Sequence, residues 1–296
     1  MEKIEYRTIQ LSDRELVTKA YAEDPRRTCE HSFANNYLWQ SVYPAEIACF
    51  DGCVSVRFRD GQELYYDFPA GAGDKKKAME RIISWTDRQE TLRFYGLLED
   101  EVELLNEWYP DQFTITADRD MYDYIYETKK LTDLAGKKLH GKRNHIHRFM
   151  ENPDWHYETL SEENKAACLQ MNHLWKRKRA DKWDMDMEQE FQVVNRALQN
   201  FEQLGLVGGV LYIGNEVVAF TMGESLGGDT FVVHFEKAFP EIQGAYPMIN
   251  QQFVAHECQE YRYINREDDA GEEGLRKAKL SYVPDILLEK YLAVRK

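Results

Sequence analysis

The stretch from Thr230 to Val283 constrains this chain more than any other. Phe231, Val233 and Phe235 alternate with Val232, His234 and Glu236, which predicts a strand over 230–237 with one face in the core and ionisable groups on the other. A turn with Pro240, Gln243, Gly244 and Ala245 follows, then a helical segment from Pro247 to Gln259, a strand over 262–265, an acidic turn and a last helix. This is a βαβ unit followed by a helix, and parallel strands need such a crossover. Ligands of open α/β sheets lie beyond the carboxyl ends of the strands, so a site is expected at the turns 240–246 and 266–274.

In the first of these turns Gly244 lets backbone amides approach a ligand, and Tyr246-Pro247 opens a helix whose amino end favours anions. Gln243, Gly244, Ala245 and Tyr246 are therefore candidates for a phosphate cradle, and an ordinary glycine turn is the competing reading. The order hairpin, strand, Gln243-Gly244-Ala245 loop, helix, strand, helix resembles the later half of GNAT-superfamily acyltransferases. In those enzymes a Gln/Arg-x-x-Gly-x-Gly/Ala loop holds the coenzyme A pyrophosphate; here Gln243 is followed at once by Gly244. The end of the chain runs Asn265-Arg266-Glu267-Asp268-Asp269-Ala270-Gly271, then Gly274-Leu275-Arg276-Lys277-Ala278-Lys279-Leu280-Ser281-Tyr282-Val283-Pro284, with Tyr291-Leu292 beyond. It resembles the catalytic domain of phosphatidylglycerol lysyltransferases and their soluble relatives, a likeness covering most of the chain.

The earlier half repeats the same order of elements. Strands over 46–50 and 54–58 flank Asp51-Gly52, a hairpin signal, and a third strand spans 63–68. Gly71-Ala72-Gly73-Asp74 precedes a helix over 75–88, and strand, helix and strand follow over 92–95, 102–108 and 113–116. In the later half, strands 209–213 and 217–223 flank Gly214-Asn215 ahead of the 230–237 strand. The expected architecture is α/β with mixed sheets in two tandem GNAT-like domains, 1–130 and 131–296, the second carrying the site. One continuous mixed sheet is the competing architecture. Ser12 and Glu15 have capping-box spacing for a first helix, and the segment Ser32 to Trp39 is read either as plain core or, by the resemblance, as lining the groove between the halves.

Between the halves, 137–148 carries lysine, arginine and histidine and no acid. Leu131, Ala135, Leu139, Ile146 and Phe149 fall near one helical stripe, predicting a linking helix over 131–150 that turns Lys138, Lys142 and Arg143 elsewhere. Such a helix resembles the basic linker of lysyltransferase-like and Fem-type tandem acyltransferases. It suits a phosphorylated ligand or an RNA acceptor end, or it is a solvated face. Candidate substrate-binding residues are Lys138, Lys142, Arg143 and Asn144 here, with Lys237, Asn265, Arg266, Lys277 and Lys279 around the strand ends. His140, His145 and His147 lack the i, i+4 spacing that aims two ligands at one ion, so no metal is expected. A second basic run, 176–179, is read as ending a helix and leading through Asp181-Lys182-Trp183 into a loop over the cleft.

A formal net charge of −14 opposes bulk binding to DNA or anionic lipid. No segment reaches the length of a membrane span and no signal-type region follows Met1, so a cytoplasmic location is expected, unlike the many-spanning full-length lysyltransferases. The five cysteines, Cys29, Cys49, Cys53, Cys168 and Cys258, form no Cys-x-x-Cys pair and read as inert thiols. No Gly-x-Ser-x-Gly elbow is present, which leaves direct transfer as the economical chemistry.

Amide or ester formation from an activated acyl donor needs a bound donor, a deprotonated acceptor and a stabilised oxyanion. Glu236, sharing a strand face with His234, is the first candidate base, followed by Asp268 and Glu267; a salt bridge to Lys237, Arg266 or Lys277 competes for each carboxylate. The resemblance implies an acyl- or aminoacyl-transferase with no permanently bound cofactor. Its donor substrate would be acyl-CoA or aminoacyl-tRNA, and its acceptor a small molecule or lipid head group. The alternative is a catalytically silent binding protein for an anionic metabolite or lipid head group.

Overall fold

The computed structural model describes residues 3–86, 90–179 and 184–296. The first half of the chain supplies strands β1 (Arg7–Thr8), β2 (Ala45–Phe50), β3 (Cys53–Asp60), β4 (Glu63–Tyr66), β5 (Arg93–Leu97), β6 (Phe113–Ala117) and β7 (Asp123–Glu127). With them come helices α1 (Arg14–Glu23), α2 (Phe33–Trp39), α3 (Lys75–Trp85), α4 (Glu99–Trp108) and α5 (Thr128–Asp133). The second half supplies helices α6 (His140–Met150), α7 (Lys165–Lys178), α8 (Met185–Gln199), α9 (Phe201–Leu204), α10 (Ala245–Glu257) and α11 (Glu273–Leu280). Its strands are β8 (Trp155–Thr159), β9 (Val207–Ile213), β10 (Glu216–Ser225), β11 (Thr230–Ala238), β12 (Tyr263–Asn265), β13 (Ile286–Leu288) and β14 (Tyr291–Arg295).

Local sequence explains most of these. Asp51 and Gly52 adopt φ of 51° and 76°, the left-handed pair that a two-residue turn needs, and Phe50 pairs with Cys53 across it. Ser32 caps α2 by accepting the Asn35 N–H at 2.9 Å. The cap before α1 differs from expectation: the Asp13 carboxylate, gripped by Arg7 at 2.7 and 2.6 Å, accepts the Gln10 N–H, so Ser12 and Glu15 are not the capping pair. The expected linking helix over 131–150 is also broken. Leu134 turns left-handed (φ 48°), and Arg143 donates to the carbonyls of Leu134 and, at 2.8 Å, Gly136, separating α5 from α6. Residues 87–89 at the expected end of α3, and Asp181 to Trp183, lie outside the described residues.

The strands form two mixed sheets of seven strands each, ordered β1-β2-β3-β4-β5-β14-β6 and β8-β9-β10-β11-β12-β7-β13. In each, one parallel pair, β4/β5 or β11/β12, sits in an otherwise antiparallel sheet. The two orders correspond position for position, with one exchange: β7, from the first half, lies between β12 and β13, and β14, from the end of the chain, lies between β5 and β6. A cut at 130/131 therefore leaves each sheet short of one strand. The cause is backbone pairing, since only a strand from the other half fills each gap.

Both crossings pass the same point. The 118–122 link runs beside the 289–290 link, with the Asp118 N–H donating to the Lys290 carbonyl at 3.0 Å. There Lys290, 0% exposed in its side chain, binds Asp123 (2.8 Å, also 0% exposed) and Glu30 (2.7 Å). Burial pulls the Lys290 pKa down; Asp123, Cys29, Glu30 and Asp268 outweigh it, and the ammonium stays charged, its pKa well above the ordinary value. Around this pair one core runs through both halves, joining Phe33, Leu38, Val54 and Val56 to Phe220, Val233, Phe235 and Ile249. Burying each such side chain is worth about 1.5–3 kcal/mol, so the halves form one packed unit.

Removing the ammonium leaves two carboxylates without their buried counter-charge. Lys290→Met is expected to destabilise the protein by about 3–5 kcal/mol in urea denaturation, and Asp123→Asn added to it to recover part of the loss. Equal stability of Lys290→Met and the parent would remove this pair from its role at the crossing.

Candidate active site

Strands β11 and β12 pair through Thr230–Tyr263, Phe231–Ile264 and Val232–Asn265, and there β12 ends while β11 runs on to Ala238. The strands part, and the side chains of His234, Glu236 and the 265–271 segment fill the opening. Phe231, Val233 and Phe235 point into the main core, as their alternation predicts, and Val232 packs with Cys29 and Leu226 of a separate cluster.

Glu236 is an ion-pair partner. Its carboxylate accepts Arg266 Nη2 at 3.0 and 3.2 Å and Asn250 Nδ2 at 3.1 Å, both groups largely buried. Lys142 leans in from α6, its ammonium 3.8 Å from the Tyr282 ring centroid; burial, then Arg266, pull its pKa down to about 8 against the opposing pull of Glu236. Arg266 Nη1 and Asn250 Oδ1, both buried here, have no hydrogen-bond partner among the described residues.

His234 is locked more tightly still. Its side chain is 2% exposed, with Nδ1 2.8 Å from Glu267 Oε1 and Nε2 3.2 Å from Glu224 Oε1. Burial pulls the imidazole down, but the bonds to Glu224 and Glu267 outweigh it and raise its pKa to about 9, so it is an imidazolium at neutral pH. Ser32 Oγ lies 3.3 Å from Nε2, which gives the outline of a serine, histidine, acid triad. The chemistry does not follow, because the ring already holds both protons, and the Ser32 hydroxyl donates to Glu224 while it caps α2.

The next residues each have one task. Asn265 donates to the Arg27 carbonyl at 2.6 Å and to Asp123 at 2.7 Å, and its own oxygen accepts the Glu267 N–H at 2.6 Å. That contact holds Glu267 in a left-handed conformation (φ 57°), rare for a residue with a Cβ, and this turn aims Glu267 back at His234. Asp269, fully buried, is held by Tyr124, Arg276 (2.9 and 2.7 Å) and Arg119 (3.3 Å); burial raises its pKa, but these bonds win and lower it to about 2. Lys279 reaches under the loop to the carbonyls of Arg266 (2.6 Å) and Asp268.

Asp268 is the exception. Its Oδ1 accepts the Ala270 N–H at 2.8 Å, and among the described residues no ion pair within 4 Å ties its carboxylate. Burial, with Asp123 and Glu267 nearby, raises its pKa to about 6 against Lys290 and Lys279. Carboxylate oxygens of Asp268 and Asp123 and the Cys29 sulfur lie within 4.8 Å of one another, a grouping a metal could use. The Lys290 ammonium already stands among them, 3.3 Å from the sulfur and 2.8 Å from Asp123.

Other expected residues stand elsewhere. Lys237 is buried against Glu190 (2.6 Å) with its ammonium over Trp175, away from this opening, and Lys277 is exposed on α11. Of the basic stripe, Arg143 is spent on backbone carbonyls, Lys142 points inward, Asn144 lies 3.2 Å from His140, and Lys138 is exposed. At the expected phosphate cradle the space beside the Gly244 Cα is packed. A Cβ on Gly244 (φ 84°) would stand 2.0 Å from the His145 carbonyl oxygen and 3.1 Å from Phe149 Cβ, so the glycine is required by α6 packed across the start of α10. Gln243 is exposed, Ala245 is buried, and the Tyr246 phenol turns toward the Ala238 N–H and Trp175.

Glu224, Cys29 and Lys290 escaped sequence reasoning as site groups, and Ser32 reads there only as part of the 32–39 segment. Ser32 and Glu224 are 192 residues apart, and Lys290 and Cys29 are 261 apart. No spacing rule joins them, and the basic signal of Lys290 is a single lysine between two short strands.

Comparison with known proteins bears on this geometry. Residues 22–294 match the family described as phosphatidylglycerol lysyltransferase, C-terminal. A conserved protein of unknown function from Bacteroides thetaiotaomicron is 38% identical over 99% of this chain and 100% of its own, with a TM-score of 0.94. L-PGS from Bacillus licheniformis superposes with a TM-score of 0.60 at 17% identity, covering 98% of this chain and 93% of that one. FemX superposes with a TM-score of 0.61 at 7% identity, covering 97% and 96%. The last two show likeness of fold. An uncharacterised protein of Mycoplasmoides gallisepticum is 27% identical over 178 residues, 57% of this chain, which spans about half (55%) of that relative's length.

Two outcomes test this geometry. Because the folded pKa of His234, about 9, lies above its unfolded value of roughly 6.5, its contribution is complete below the lower value and lost as pH rises to the upper one. Unfolding free energy is expected to fall across that window by on the order of 3 kcal/mol, and the His234 ring resonance to titrate near its upper end; a ring titrating below neutrality would contradict the double carboxylate clamp. Gly244→Ala meets both the left-handed backbone and the His145 carbonyl, and is expected to cost at least about 1–3 kcal/mol in thermal melts. Unchanged melting would return this loop to a ligand-binding role.

Proposed function

The chain belongs to the phosphatidylglycerol lysyltransferase C-terminal family, and from that premise we propose that it is an aminoacyltransferase. It moves an aminoacyl group from an ester donor, an aminoacyl-tRNA, to the hydroxyl or amine of a small-molecule or lipid head-group acceptor. The observation that carries the reading is Asp268: a half-buried carboxylate beside Asp123 and Cys29, with no ion-pair partner among the described residues and its pKa raised to about 6. A general base works best with a pKa near the working pH, and Glu236, tied to Arg266 and Asn250, is poorly suited to leave its partners. The donor class rests on the family match.

In this reading the acceptor oxygen or nitrogen attacks the ester carbonyl as Asp268 takes its proton. The new bond forms, the tetrahedral intermediate collapses, the ester C–O bond breaks and the proton passes to the departing hydroxyl. Lys290 and Lys279 provide the positive field that keeps Asp268 ionised above its pKa. Among the described residues no helix is long and apolar enough to cross a membrane, so a lipid acceptor would present its head group from outside this chain.

Asp268→Asn keeps shape and removes the proton acceptor. Transfer from labelled aminoacyl-tRNA is expected to slow by roughly two orders of magnitude or more, with donor binding retained. The parent's rate should rise with pH through about 6, and the variant's residual rate should lose that limb. Full activity in Asp268→Asn would displace the base, and no transfer by the parent from any aminoacyl-tRNA would leave a binding protein for an anionic metabolite or head group.

A further inference from the structure

The first sheet parts in the same way as the second. Strands β4 and β5 pair through Tyr65–Arg93 and Tyr66–Phe94; the next residues along, Asp67 and Tyr95, stand on either side of the gap that opens. Behind them lies a cavity of about 30 Å³, lined also by Arg26, Glu30, His31 and Gly96, with room for a water or two or one small polar group.

The charges around it are paired except at one place. Arg26 binds Asp24 at 2.7 Å and Glu101, and Glu30 binds Lys290 at 2.7 Å. Asp67 has no hydrogen bond or ion pair from its carboxyl among the described residues, although protein encloses it on the side away from the cavity. His31, 6% exposed and stacked on Tyr21 at 3.8 Å between ring centroids, has an Nε2 with no hydrogen-bond partner among the described residues. Burial, then Arg26, lower its pKa to about 3, so the ring is neutral. Its other nitrogen faces the backbone carbonyls of Tyr21 and Asp24 and carries the proton, which makes Nε2 an acceptor. Once Asp67 gives up its proton, the cavity presents acceptors: the Asp67 oxygens, His31 Nε2 and the rim of Glu30. A hydroxyl offers one hydrogen; an ammonium offers three and supplies the charge that Asp67 lacks.

We propose that this cavity, walled by Asp67 and His31, is a binding site for a protonated primary amine, the ammonium group of the amino acid being transferred. The identity of the amine rests on the aminoacyl-transfer reading, whereas the site itself does not. Its position suits that role, because Tyr95 and Glu30 face both the cavity and the Lys290 and Asp268 cluster.

The test is calorimetry of the whole chain with methylammonium as probe, in two buffers of different ionisation heat at neutral pH. Burial, then Glu30, raise the Asp67 pKa to about 8 against Arg26 and Lys290, so the empty site holds a proton that an incoming ammonium must expel. Binding should release about one proton per site, be absent for tetramethylammonium, which has no N–H, and weaken at least tenfold in Asp67→Asn. Asp67→Asn resembles the protonated empty state, and its melting should match the parent's; should it fail to fold, proton release by the parent still decides. Binding without proton release, equal binding of tetramethylammonium or potassium, or no binding overturns the site. Asp268-dependent transfer alongside that negative result sinks the cavity and spares the aminoacyl reading, and methylammonium binding without transfer does the reverse.

Discussion

The buried ion pair of Lys290 with Asp123 stands where the chain changes sheets twice. On one pass it leaves β6 for β7, and on the other it leaves β13 for β14, so each half completes its sheet with a strand from the other. A charged pair in such a place costs desolvation, and its attraction repays that only with good geometry and further hydrogen bonds. Here Asp123 also accepts the Cys29 N–H at 2.8 Å and Asn265 Nδ2 at 2.7 Å, and Lys290 also reaches Glu30. A buried charge that is useless without its partner makes any other pairing of the final strands expensive, and fixes which strand enters which sheet.

From that crossing the candidate site inherits its shape. Asn265, the last residue of β12, touches Asp123 with its amide and orients Glu267 with its oxygen, so the left-handed turn at Glu267 is determined by the crossing. Glu267 in turn clamps His234 together with Glu224, and Glu224 holds Ser32 and the Ala34 N–H of the other half at the start of α2. A chain of polar contacts thus runs from the exchanged strands to the groove between the halves. Asp268 and Asp67 stand beside this chain without ion-pair partners among the described residues, and both have raised pKa values, chiefly because desolvation penalises their charged forms. Half-buried carboxylates without ion pairs, flanking satisfied ones, are the pattern expected where a protein keeps groups for a ligand or a proton.

Much of this was legible in the sequence. The hairpin at Asp51-Gly52, the β11 alternation, the βαβ order and the acidic motif after Asn265 are local signals, because turn chemistry and side-chain period act within a few residues. Other readings depended on packing and changed with it. Gly244 reads as a turn glycine in the sequence and is shown by the packing to sit against the His145 carbonyl, the stripe from Leu131 to Phe149 reads as one helix until Leu134 and Gly136 break it, and Lys142 reads as surface until it turns over Tyr282.

The sequence by itself determined the repeated order of elements, the parallel pair in each half and the acidic segment at its end, since each follows from backbone preferences and periodicity over short spans. Only the tertiary structure decided that β7 and β14 trade sheets, that Glu236 is held by Arg266 while Asp268 is not, and that His31 and Asp67 face one cavity. The physical reason is distance along the chain. Strand exchange and buried charge pairing are settled by groups such as Cys29 and Lys290, 261 residues apart, whose attraction exists only after folding has excluded water between them.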